Sequence, residues 1–133
     1  MPGYSGTPLP KKLGIKAGFR VRLANAPAEV RAELREALAV CQQGNQTDTL
    51  DFAMIFTKSR ADLTTEFPRI AKELTSAGML WVSWPKKSSG VATDLNENIV
   101  REIGLGAGLV DVKVCAVTEV WSGLKFVRRL KDR

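Results

Sequence analysis

The residues able to hold or act on a ligand fall in four short polar segments, each at the end of an apolar run. They are Asn25-Ala26-Pro27, Lys58-Ser59-Arg60, Lys86-Lys87-Ser88-Ser89-Gly90 and Glu119-Val120-Trp121. Lys58, Arg60, Lys86 and Lys87 supply cations, and Ser59, Ser88 and Ser89 supply hydroxyls. Trp84 and Trp121 supply flat apolar faces on which a ring could stack. With Asn25 and Glu119 the set suits an anionic, partly aromatic ligand such as a nucleotide.

Histidine is absent. That removes Ser-His-Asp and Cys-His nucleophile systems, the His-x-Glu zinc deaminase pattern and every zinc site that uses imidazole. Cys41 and Cys115 are the two cysteines, far apart and in no paired spacing. Cys115 sits in the apolar run VKVCAV and reads as a small buried hydrophobe. Catalysis would fall to carboxylates, lysines, hydroxyls, Tyr4 or a metal held by oxygen. The Lys–Ser neighbours at 58–59 and 86–89 are a poor nucleophile pair, because adjacent side chains rarely point at each other. Asp94, Glu97 and Glu119 make no tight acidic pair. No catalytic residue, metal ligand or cofactor is therefore assigned, and the balance leans away from an enzyme. Gly104, Gly106 and Gly108 mimic a dinucleotide fingerprint but precede a strand instead of following one, so helix-capping is the expected role.

The elements that must position these residues can be read from periodicity. Phe19, Val21 and Leu23 alternate with Arg20 and Arg22, which predicts a strand over 19–24. Pro27 opens a helix whose Val30, Leu34, Leu38 and Cys41 share a stripe. The polar connector 42–49 has room for a short edge strand. Residues 50–57 form a near-continuous apolar run, the signature of a strand covered on both faces. Ser59 is placed to cap the next helix, Pro68 to kink or restart it and Gly78 to end it. A third strand over 79–84 closes at Pro85, and Trp81 within it reads as core. Thr93 or Asp94 is placed to cap a helix bearing Leu95, Ile99 and Ile103, and residues 109–117 form a fourth strand. Trp121-Ser122-Gly123 reads as a tight turn, with 124–128 returning as a hairpin.

This order of elements implies a three-layer α/β sandwich, mostly parallel and ending in an antiparallel hairpin. In a parallel sheet ligands gather outside the carboxyl ends of the strands, so the four polar segments are expected on one rim. Residues 1–18, with four glycines and three prolines, read as an irregular basic arm, and 19–133 as one α/β domain. The net charge of +6 is concentrated at the ends. Lys11, Lys12, Lys16, Arg20 and Arg22 have no acid among them, and Lys125, Arg128, Arg129, Lys131 and Arg133 have only Asp132. No apolar stretch is long enough to span a bilayer or to form a secretory signal, so a cytoplasmic protein without membrane association is expected.

The topology resembles a pared-down Rossmann-like methyltransferase fold over residues 19–130, with that fold's second and third strands missing or reduced to the 42–49 connector. Locally, GYSGTPLPKKLGIK, WPKKSSGVATDLNENIVREIGLGAGLVDVKVCAV and WSGLKFVRR are similar to an uncharacterised bacterial family, a domain of unknown function of the 3052 type. That resemblance implies bacterial origin and this fold, and carries no activity with it. Methyltransferases of the resembling fold share a glycine-rich loop after the first strand and an acid ending the second. Here Asn25-Ala26-Pro27 stands in the first place and no clear strand offers the second, which counts against S-adenosylmethionine. Three readings follow. The first is a non-catalytic binding module for a phosphate-bearing small ligand or an acidic partner at the strand rim. The second is nucleic-acid binding through the basic ends, and the third a degenerate methyltransferase-like protein. Oligomeric state is not legible.

Overall fold

The computed structural model describes residues 7–44 and 49–133. Tyr4 and part of the 42–49 connector lie outside the described residues. In chain order the elements are α1 (Leu9–Leu13), β1 (Arg20–Ala24), α2 (Ala28–Ala39), β2 (Gln42–Gln43), β3 (Leu50–Phe56) and α3 (Arg60–Ala71). They continue with β4 (Leu74–Pro85), α4 (Glu97–Gly106), β5 (Leu109–Ala116) and β6 (Trp121–Arg128). The six strands form one sheet in the order β2-β1-β3-β4-β6-β5. β2, β1, β3 and β4 run parallel, while β6 is antiparallel to both β4 and β5. The expected three-layer α/β architecture with a closing hairpin is therefore the observed one. Within the connector, β2 is the short edge strand, two residues paired to β1.

Alternation along the strands separates two cores. Leu50, Ala53, Ile55, Leu80, Val82, Leu124 and Phe126 face α3 and α4 and enclose Leu63, Phe67 and Val100. Phe52, Met54, Phe56 and Trp81 face the other way, against Leu9 and Leu13 of α1 and Val30 and Leu34 of α2. The centres of β3 and β4 are buried on both faces, which is why residues 52–56 and 79–82 are continuous apolar runs. β5 is the opposite edge. Its register shifts between Asp111 and Lys113, and the exposed Lys113 puts a charge on the edge, which discourages sheet-to-sheet pairing.

Several expectations need correction. The segment read as an irregular arm contains α1, whose Leu13 is fully buried. The indole Nε1 of Trp81 donates to Leu13 O at 3.0 Å, so the docking depends on a contact across 68 positions that no local pattern announces. Pro68 lies inside α3 without breaking it, one turn from the helix end. Gly78 does not end that helix. It sits in the irregular start of β4, where a Cβ would come within 2.7 Å of Leu50 O. Trp121, Ser122 and Gly123 are strand, not turn. The turn precedes them and is built on Thr118, whose Oγ1 accepts from Val120 N and Trp121 N at 3.0 Å each. Gly123 is needed for close packing, since a Cβ there would meet Val117 and Trp81.

Basic residues near the ends are partly spent on the fold. Arg22 makes a two-pronged ion pair with Glu73 at 2.7 and 2.9 Å. Arg128 Nη2 donates to Ala71 O and Leu74 O, closing the carbonyl end of α3. No helix of the described residues is long and apolar enough to cross a membrane.

Candidate functional site

The strand registers put the four polar segments at one end of the sheet. Ala24 pairs with Ile55, Phe56 with Ser83, Pro85 with Trp121 and Ala116 with Ser122. The exits of β1, β3, β4 and β5 and the entry of β6 therefore form a common rim.

Two pairs of segments are stitched together. Lys86 N donates to Val120 O at 2.7 Å, joining the loop after β4 to the β5–β6 turn. Thr93 Oγ1 donates to Lys58 O at 2.6 Å, and Arg60 N donates to Asp94 Oδ1 at 2.7 Å. The helix capped at the expected Thr93 or Asp94 begins later, at Glu97, with Asn96 as its cap: Asn96 Oδ1 accepts from Ile99 N at 2.9 Å. Thr93 and Asp94 instead latch the loop to the start of α3. That latch fills the α3 N-terminus from within. Ser59 Oγ accepts from Asp62 N, as expected of a cap, while the Asp94 carboxylate takes the amide of Arg60.

The remaining side chains sort by what they touch. Lys58, Arg60, Lys87, Ser88 and Glu119 are exposed, and Lys86 is half-buried. Ser89 Oγ donates to Lys86 O at 2.6 Å and accepts from Val91 N, so it shapes the loop. Trp84 is 5% exposed, turned into the α3–α4 core, and Trp121 is 9% exposed, packed edge-on against Phe56 with ring centres 5.4 Å apart. Trp121 is closed off by that contact, whereas Trp84, though mostly buried, lines the groove beside the loop after β4. The two tryptophans point to opposite sides of the sheet because Trp121 lies in register with Pro85, one position on from Trp84.

Between the loop after β4 and the start of α4 lies an open groove of about 620 Å³, lined by Lys86, Lys87, Thr93, Asn96, Glu97 and Ser122 among others. Glu97 is drawn off to Arg101, Nη2 to Oε2 2.6 Å. Sequence reading missed the wall from Val91 to Asn96 and Ser122 opposite it. Its only signal was the bend implied by Gly90, which has φ 75°.

At the end of β1, Asn25 takes a left-handed backbone with φ 62°, the one non-glycine positive φ among the described residues. Asn tolerates this conformation and a β-branched side chain does not. Asn25→Val is expected to lower the urea midpoint by the equivalent of about 1–3 kcal/mol, with Asn25→Gly near neutral.

Cys41 and Cys115 are free thiols. Burial pushes both above the ordinary thiol range, Cys115 against the opposing pull of Lys12 and Lys113. Gly108 is left-handed, as a cap should be. Gly104 lies inside α4, where it lets the helix close on Phe126. Among the described residues no three Cys, Asp or Glu side chains gather to hold a metal.

In fold the chain is similar to magnesium protoporphyrin IX methyltransferase of Synechocystis PCC 6803 with bound SAH. The TM-score is 0.58 at 12% identity, covering 90% of this chain and 78% of that one. It is also similar to the fibrillarin pre-rRNA processing protein of Methanococcus jannaschii, with TM-score 0.54, 12% identity and coverage of 93% and 70%. The CcbJ methyltransferase of Streptomyces caelestis gives TM-score 0.54, 9% identity and coverage of 86% and 85%. No curated protein matches the sequence. These likenesses establish a Rossmann-like, methyltransferase-type topology and nothing of activity. The sequence of one family does match, over residues 11–130, and by that match the chain belongs to the family described as Protein of unknown function (DUF3052).

Proposed function

We propose that this protein is a non-catalytic binding module that holds a phosphate-bearing small ligand, such as a nucleotide, at the strand-exit rim. The observation that carries the reading is the groove between the β4 loop and α4, with Lys86 and Lys87 on one wall. Its volume of about 620 Å³ falls within the roughly 300–1,000 Å³ of small-molecule sites. The loop that forms it is anchored at both ends, by Lys86 N on Val120 O and by Thr93 on Lys58 O. A loop so braced loses little freedom when it closes on a ligand. Lysines serve as point charges for phosphate, and the Arg101 pairing relieves the one groove carboxylate that opposes an anion.

The test is thermal shift against a panel of nucleotides and nucleotide sugars. At a hundredfold excess over Kd, a true ligand stabilises by about 2.7 kcal/mol. The Lys86→Ala/Lys87→Ala double variant is expected to melt at the same temperature unliganded and to lose most of that stabilisation. A panel without a single stabilising compound refutes the proposal.

One observation favours a second reading, retention of a methyltransferase-type cofactor. Asn25 keeps a left-handed turn at the end of β1, where the resembling enzymes have their glycine-rich loop. Titration calorimetry with S-adenosylmethionine separates the two: saturable heat supports this reading, and its absence eliminates it.

A further inference from the structure

The face of β5–β6 turned toward α1 carries a concentration of positive charge from residues outside the groove's lining. Leu124 and Phe126 enter the α3–α4 core, so Lys125 between them faces α1, in register with the buried Trp81 of β4. Directly across on β5 stands Lys113. Lys113 Nζ donates to Lys12 O at 3.0 Å, and Lys12 Nζ donates to Ala116 O at 3.2 Å, so these two lysines tie α1 to the sheet edge. Among the described residues no carboxylate forms an ion pair with Lys113 or Lys125. Two like charges opposite one another on an antiparallel pair repel.

The two lysines differ in surroundings. Lys113 is exposed, whereas Lys125 is half-buried beside Trp81. A desolvated amine next to another cation is the arrangement that turns lysine into a nucleophile. We propose that Lys125 is an acylation site, taking its acyl group from small acyl phosphates that Lys113 and Lys12 draw to this face. The neutral Nζ attacks the acyl carbonyl carbon, a C–N bond forms, and the C–O bond to phosphate breaks. Inorganic phosphate leaves with the bonding pair, and the excess proton of the new amide passes to solvent. Burial first, and the charge of Lys113 second, hold the Lys125 ammonium below its ordinary range, which supplies the neutral amine. Acylation also removes one of two opposed charges, so the modified protein is expected to be the more stable form.

The experiment incubates the whole chain with acetyl phosphate and follows each lysine by peptide mass spectrometry over time. Lys125 is expected to acetylate several-fold faster than the exposed Lys58, Lys87 and Lys131. Lys113→Met, an exposed substitution checked for folding by circular dichroism, is expected to bring that rate down toward theirs. A Lys125 rate no higher than theirs overturns the proposal. So does a fast rate that Lys113→Met leaves unchanged.

Discussion

Gly104→Ala is expected to destabilise the protein by about 2 kcal/mol, the reverse of what alanine does in an ordinary helix. Replacing glycine by alanine inside a helix normally gains up to about 1 kcal/mol. At Gly104 the added Cβ would fall on the ring of Phe126. That ring cannot swing aside, because it is fully buried and packed edge-on against Phe67 with centres 5.1 Å apart. Either α4 lifts from the sheet or Phe126 leaves its rotamer, and overpacking of this kind costs about 1–3 kcal/mol or more. Gly106→Ala is the internal control. It lies two positions on in the same helix with nothing within 4 Å of the added atom. The same substitution there should stabilise by about 0.4–1 kcal/mol. Urea unfolding of the pair decides the matter, and two shifts of the same sign would contradict this packing.

Arg128→Met is expected to cost about 2–3 kcal/mol, the range for removing a charged donor from partly buried acceptors. Its guanidinium serves Ala71 O at 3.0 Å and Leu74 O at 2.7 Å, where α3 hands over to β4. Methionine keeps the apolar stem and removes the donors, so the loss isolates the hydrogen bonds from the packing. Arg128→Lys should recover only part, since one ammonium cannot reproduce the planar fork. Guanidinium unfolding of the three proteins gives the order. Full recovery by lysine would mean that charge alone matters there.

The layered, mostly parallel architecture was legible because residues 52–56 and 79–82 are unbroken apolar runs and α2 has a clean stripe. From these the right-handed crossover rule fixes a common rim. What stayed hidden depends on partners distant in sequence. Leu9–Leu13 reads as loop because two lysines and a proline fill five residues, and what holds it is distant in sequence: the Trp81 indole bond, the Lys12 and Lys113 bonds to β5, and the burial of Leu9 and Leu13. Asn96, Asp94 and Thr93 are all competent caps by type. Which one starts the helix was decided by the contacts of Thr93 and Asp94 with the Lys58–Arg60 segment. The rim lysines were legible as charges in loops. Trp121 was legible as an aromatic at the rim, but the side of the sheet it takes was not, and it packs into the α1–α2 core. Gly104 and Gly123 misled for a related reason. Both answer a close approach from another element, Phe126 in one case and Trp81 in the other, and not a turn of their own.

The direct measurement of where a ligand sits is a ¹⁵N amide-shift titration of the full chain with the nucleotide that stabilises it most. Saturating shifts confined to residues 86–97 and Ser122, and abolished in Lys86→Ala/Lys87→Ala, are the result expected of an anion site in this groove. Shifts that instead centre on Asn25 and the first turn of α2, or a spectrum that no nucleotide perturbs, would contradict it.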